Sequence, residues 1–222
     1  MRTPIKPAIG ETRSDHGRTG NVKATRQDWV AAARAKLNTV AIDELKILHL
    51  AEDLSVSRSS FYWYFSDMAE LLDEVVLAWH ASTAAIVERT LRPADDITAA
   101  CLGVFECWSD AQLYDPLLDF AVRDWGRRND SVAAHVYEAD VERLAALAAM
   151  FERYGFSEAD GMVRARLLYH GKLGYYAAGT DEPTELRLMF LPHYLLALTG
   201  VEPSPSELEL FADYFRAMQP VG

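Results

Sequence analysis

The sequence predicts an all-α protein: a small N-terminal helical module joined to a larger C-terminal helical domain. Two observations carry that prediction. From Thr25 onward, apolar residues recur at helical spacing along nearly the whole chain, and no persuasive two-residue strand alternation appears. Charge is also unevenly divided. Residues 1–66 hold ten basic and seven acidic side chains, a net +3, whereas 67–222 hold twelve and twenty-six, a net −14. The formal total of −11 over 222 residues excludes a chain that is basic throughout, but it allows a small basic module with a separate task. With half its residues hydrophobic, the chain can bury a core without metal or disulfide support.

Taken in order, residues 1–24 hold Pro4, Pro7, Gly10, Gly17 and Gly20 among scattered Arg and Lys, and read as a disordered basic arm. Thr25-Arg-Gln-Asp28 resembles a capping box with a shorter acid at its third position, and Val30, Ala33 and Leu37 continue that helix. A second helical pattern runs over 43–54, with Ile47, Leu50, Ala51 and Leu54 on one face. Ser57 is a good cap for a short helix over 58–64. Ser66 or Asp67 caps a long one over 67–91, with Leu71, Leu72, Val75, Val76 and Trp79 on its apolar face. Further helices are expected over 95–110, 116–127, 130–154, 157–179, 184–199 and 205–217. Pro192 is expected to kink or break the helix over 184–199.

The first ten residues lack the apolar run of a secretory signal, and the longest apolar stretch, Leu188 to Leu198, is too short to span a bilayer. Cys101 and Cys107 lie six apart, about 120° around a helix, which suits buried free thiols better than a disulfide. These features point to the cytoplasm, with no membrane partner.

The stretch from Ile47 to Phe65 has the architecture of a helix-turn-helix. Ala51 permits a close helix crossing. Ser55 falls in the tight turn, where a positive φ is often required and glycine favoured. Val56, Phe61 and Phe65 plug a small core with Leu37, Leu50 and Leu54. That leaves Arg58, Ser59, Ser60, Tyr62, Trp63 and Tyr64 on the other faces. Three consecutive aromatics beside an arginine suit phosphates, sugars and thymine methyls better than a merely solvated surface.

Leu54-Ser-Val-Ser-Arg-Ser-Ser-Phe-Tyr-Trp-Tyr-Phe65, followed by Asp67 to Leu72, resembles the TetR family of bacterial transcription regulators over roughly residues 25 to 77. The resemblance implies a three-helix DNA-binding domain over 25–66 and an effector-binding and dimerisation domain over 67–222. It implies that Arg58, Ser59, Ser60, Tyr62, Trp63 and Tyr64 face DNA, with Lys46 and Thr25 near the backbone at neighbouring helix starts. Three residues depart from the family pattern: Ser55 replaces the usual turn glycine, Tyr64 a histidine, and Met68 a phosphate-binding Lys or Arg. The basic arm can compensate for Met68 by tracking phosphates.

One reading helix per chain makes specific recognition depend on two chains about a two-fold axis. Gly171, Gly174 and Ala178 clear a stripe of bulk on one late helix, and Leu186, Phe190 and Tyr194 line another. The resemblance implies that these helices form the homodimer interface. It also implies a small-molecule pocket among the middle helices. Trp79, Phe105, Trp108, Phe120, Tyr137 and Tyr169 are the candidate rings, and Arg123, Asp124 and His170 the candidate polar members. Such rings suit an apolar or aromatic effector; plain core packing is the competing reading. The segment from Phe120 to Arg128, with Asp140-Val-Glu-Arg143 beyond it, further resembles one large sub-group of that family.

The function implied is a ligand-responsive repressor that binds a double-stranded, palindromic operator as a homodimer and is released by its effector. No cofactor, metal or enzymatic activity is expected. GxSxG, P-loop and HExxH motifs are missing, and His49, Glu52 and Asp53 read as a solvated helix face. An all-helical enzyme and an interaction module without DNA binding are the rival classes. The second predicts no salt-sensitive retention on DNA.

Overall fold

The computed structural model describes residues 24–180 and 182–218, so the predicted basic arm lies, but for Ala24, outside the described residues. Among those described, ten α-helices and no strand are found. Helix α1 (Arg26–Leu37) opens on the predicted capping box: the Asp28 amide donates to the Thr25 hydroxyl, and the Thr25 amide and hydroxyl both donate to the Asp28 carboxylate. Helices α2 (Ile47–Asp53) and α3 (Arg58–Phe61) follow.

The second helix is shorter than the apolar pattern over 43–54 suggests. Ile42–Glu44 instead form one 3₁₀ turn, and Leu45 is extended, with its side chain tucked into the core. Helix α2 therefore begins only after Lys46. Ser55, between α2 and α3, has φ of 54°, the left-handed conformation in which a side chain is disfavoured.

Asp67 caps the long α4 (Met68–Leu91), which runs from this head into the larger domain. There follow α5 (Ile97–Ser109), α6 (Pro116–Gly126), α7 (Asp130–Arg153), α8 (Glu158–Ala177), α9 (Thr184–Thr199) and α10 (Pro205–Met218). Asp96, Asp115, Asn129 and Ser157 each accept from a backbone N–H of the first turn they precede. The break expected at Pro192 does not occur, since α9 continues through it. Proline removes a single ladder bond, and the buried Leu191 and Leu195 hold both halves of the helix on one core.

Two cores result. The first joins Trp29, Leu50, Phe61 and Phe65 of the head to Leu71, Val75 and Trp79 of α4, Leu118 and Val122 of α6, and Val132 and Ala139 of α7. The head therefore does not close on itself at residue 66 but shares its interior with α4, α6 and α7. The second core lies among α5, α7, α8, α9 and α10. Helices α7 and α8 cross closely at Gly161, where a Cβ would meet the Ala148 carbonyl oxygen at 3.1 Å.

Candidate functional site

The head is anchored by rings and displays rings. Trp29 and Phe61 are fully buried and meet edge-to-face at 5.3 Å between centroids, while Phe65 stacks on Phe61 at the same distance. Helix α3 ends at Phe61, short of the expected residue 64; Tyr62 caps it and Trp63 lies in the turn that follows, and with Phe61 and Phe65 held inward both rings turn outward. They are 52% and 71% exposed. Arg58 and Ser59 are also exposed, and neither Arg58 nor Lys46 is held in an ion pair among the described residues.

The other predicted contacts are placed differently. Ser60 is half-buried, and its hydroxyl donates to the Ser57 carbonyl at 2.7 Å. Tyr64 is half-buried against the head core, and its carbonyl accepts from Arg26. The Thr25 hydroxyl proton is committed to Asp28, so none remains for a phosphate unless the capping box opens. Met68, at the position of the missing cation, packs against the head core instead of reaching outward.

Sequence reading passed over Arg26. Its guanidinium lies 4.2 Å from the Phe65 ring centroid and donates to Glu70 and Glu74 at 2.9 Å each, tying α1 to α4. Glu70 also accepts the Ser66 amide at 2.8 Å and the Ser66 hydroxyl at 3.0 Å. The Ser66 amide first, and the Arg26 guanidinium second, pull its carboxyl down from 4.5 to about 2.

In the larger domain, α5, α8, α9 and α10 enclose a cavity of about 370 Å³. Phe105 and Trp108 of the predicted set line it. So do Tyr175, Tyr176, Arg187 and Phe215, and two residues assigned from sequence to the dimer face, Gly171 and Tyr194. Lys172 projects among rings: its Nζ lies 3.5 Å from the centroid of Tyr176, 4.8 Å from Tyr114 and 5.3 Å from Trp108. Desolvation in that setting, aided by the nearby Arg187, holds its amine well below the usual lysine range.

Beside the cavity, Trp79, Arg123 and Tyr169 belong to a closed polar network. Asp119, fully buried, accepts from Trp79 Nε1 at 2.8 Å, Tyr114 Oη at 3.1 Å and Arg123 Nε at 2.9 Å. Arg123 also reaches Asp140 through two bonds of 2.8 and 2.7 Å. The Tyr169 hydroxyl donates to Asp140 at 2.7 Å and accepts from Arg123 and Arg143 at 2.8 Å each. Asp119, Asp140 and Arg143 were not among the predicted site residues. Their sequence signals are the carboxylate–arginine spacings 119/123 and 140/143 and, for Asp140 and Arg143, the sub-group resemblance that gave them no role.

Phe120, Asp124, Tyr137 and His170 do not line the cavity. Asp124 is exposed and paired with Arg128 at 2.7 Å. Tyr137 is 70% exposed, because it lies two residues, about 200° of helix, from the buried Ala139. His170 turns outward next to the buried Leu168 and Tyr169. On the outer faces of α8 and α9, Val163, Leu167, Phe190 and Tyr194 are exposed, as is Ala178, while Leu186 is half-buried. Gly171 and Gly174 have no atom within 4 Å of where a Cβ would stand, so packing within the chain does not account for them.

Among the described residues no His, Cys, Asp and Glu side chains gather in a metal-holding group, and no helix is long and apolar enough to cross a membrane. Cys101 and Cys107 are both free and buried, and desolvation raises their thiols to about 12 and about 11.

Residues 30–75 match the model of the bacterial regulatory proteins, tetR family. No curated protein matches the sequence. Solved structures share the fold at low identity. A TetR-family transcriptional regulator from Marinobacter aquaeolei VT8 aligns with a TM-score of 0.63 at 15% identity, over 89% of this chain and 100% of that one. Mycobacterium smegmatis AmtR aligns with a TM-score of 0.59 at 14% identity, over 91% and 99%. Salmonella enterica GusR gives 0.56 at 14% identity, over 91% and 98%.

Proposed function

We propose that this chain, which carries the TetR-family DNA-binding module at residues 30–75 on a fold shared with TetR-family regulators, is a ligand-responsive repressor acting in the cytoplasm. It binds a palindromic operator as a homodimer and leaves it when a small effector with an apolar or aromatic body fills the cavity. The observation that carries the reading is the outward set on α3 and the turn after it, where Arg58, Tyr62 and Trp63 stand in solvent while Phe61 and Phe65 are held in the core behind them. Exposed aromatics of this size beside an uncommitted arginine suit a groove and its phosphates.

The dimer forms through α8 and α9. Their exposed Val163, Leu167, Phe190 and Tyr194, with the open backbone at Gly171 and Gly174, make an apolar face that a second copy covers. Coupling follows a short physical path. The Lys172 amine in the cavity rests on the Tyr114 ring, Tyr114 donates to Asp119, and Asp119 accepts from Trp79 midway along α4. Helix α4 begins in the head, so a ligand that shifts Tyr114 changes the setting of the reading helix.

Retention of the full chain on duplex DNA, measured against salt, tests this reading. Retention falls steeply between low and moderate salt. Arg58→Ala and Tyr62→Ala each lower operator affinity by about tenfold or more while the dimer persists in solution. A variant that binds as the parent does overturns the assigned orientation of α3.

A further inference from the structure

The cavity holds cationic side chains that no carboxylate meets. Among the described residues neither Lys172 nor Arg187, both of which line it, has a carboxylate within ion-pair distance. The two cations rest on rings instead: Lys172 on Tyr176, and Arg187 at 4.5 Å from the Phe215 centroid and 5.6 Å from Tyr175. The indole N–H of Trp108 is buried and finds no acceptor. Among the described residues the one carboxylate lining the cavity is Glu182, which accepts from the Tyr175 hydroxyl at 3.2 Å and pairs with neither cation.

Contrast the arginines next door. Arg123 and Arg143 are also enclosed, yet each is met by Asp119, Asp140 and the Tyr169 hydroxyl. The surface recess between α9 and α10 is likewise satisfied, because its Arg216 is bonded twice to Glu185 at 2.9 Å. Among the enclosed clusters of described residues in the larger domain, this cavity is therefore the one whose cations lack a carboxylate partner and whose buried indole N–H lacks an acceptor. An ammonium enclosed beside a guanidinium gives up its proton more readily than an ordinary lysine, and an anion between the two favours the charged form and offsets their repulsion.

We infer that the effector is an organic acid, with its ring body against Phe105, Trp108 and Phe211 and its carboxylate between Lys172 and Arg187. This rests on the reading of the cavity as the effector site and adds the ligand's charge to it. A cavity of about 370 Å³ suits a body of about bicyclic size.

Titration calorimetry of the full chain with 2-naphthoate, the neutral 2-naphthamide and the cationic 2-naphthylmethylammonium tests the inference. Naphthoate binds at least about tenfold more tightly than naphthamide, and the ammonium more weakly than either. Lys172→Met and Arg187→Met each weaken naphthoate more than naphthamide and so shrink the preference for the acid, with an unchanged cooperative melting curve reporting that the chain is still folded. Lys172→Arg keeps the preference for the acid. Equal binding of acid and amide, or tightest binding of the ammonium, overturns the acid but keeps the cavity as a ligand site. A preference for acid that survives both substitutions undiminished places the carboxylate elsewhere and overturns the assignment. Failure of all three probes overturns the cavity reading itself.

Discussion

From Ala24 to Phe65 the fully buried side chains, such as Trp29, Ala33, Leu50 and Phe61, are apolar, and no charged side chain is wholly buried. The larger domain does the reverse. It seals Asp119 and Arg143 inside, 0% and 2% exposed, and arranges Arg123, Asp140 and Tyr169 around them. The head thus carries its chemistry outward on α3, where a partner as large as DNA can reach it. The domain carries its chemistry inward, where only a small molecule can enter. Within the domain the same contrast recurs at closer range, since Tyr169 closes one polar network and Lys172, three residues along α8, leaves another open.

The largest effect is expected where the closed network is broken. Arg143→Met leaves the Asp119 and Asp140 charges enclosed with one cation fewer and destabilises the chain by about 3–5 kcal/mol. The check is a denaturant midpoint that falls at unchanged slope. Lys172→Met is the matched control from the open cluster. It removes a desolvated, unpaired amine and leaves stability unchanged or raised. If both variants lose the same stability, the distinction between closed and open clusters fails.

On the outward side, Arg58→Ala lowers operator affinity by about 1–3 kcal/mol or more, with the thermal midpoint within the range of ordinary surface changes. Gel-shift titration beside a melting curve separates the two. Ser55→Gly is smaller and opposite in sign. It relieves a left-handed serine at φ of 54° and stabilises the head by about 1 kcal/mol, read from chemical denaturation.

The smallest expected effect is acid-linked. The Glu70 carboxyl sits at about 2 in the folded chain against 4.5 ordinarily, because the Ser66 amide and Arg26 favour its ionised form. Its contribution is therefore complete above 4.5 and lost as pH falls from there toward 2. Glu70→Gln flattens the acid limb of the stability profile in that window only.

The outward half of this division was largely legible in the sequence. Phe61, Phe65 and Ala51 declare the helix-turn-helix by spacing, the capping box at Thr25 reads directly, and Ser55 occupies the turn position where the backbone goes left-handed. Spacing placed Tyr62 and Trp63 outward, as found, but also Ser60 and Tyr64, which are half-buried. It did not reveal Arg26, whose partners Glu70 and Glu74 lie more than forty positions away.

The inward half was legible only as composition. The aromatics of the middle helices were evident, but which ones line a cavity depends on helix phase and on how four helices converge. Of the candidate rings, Phe105 and Trp108 line the cavity. Tyr137 and His170 have the same kinds of side chain and point outward. Lys172 gave no sign of itself, because a lysine on a helix normally reads as solvated. Only the approach of α5 and α9 encloses it.

The most direct test of the account is selection of bound sites from random duplexes by the full-length chain. The account predicts one enriched sequence with two-fold symmetry, its half-sites about one helical turn (about 34 Å) or more apart, and loss of that enrichment in Arg58→Ala. Recovery of no sequence above the non-specific background, or of a single half-site without symmetry, contradicts it.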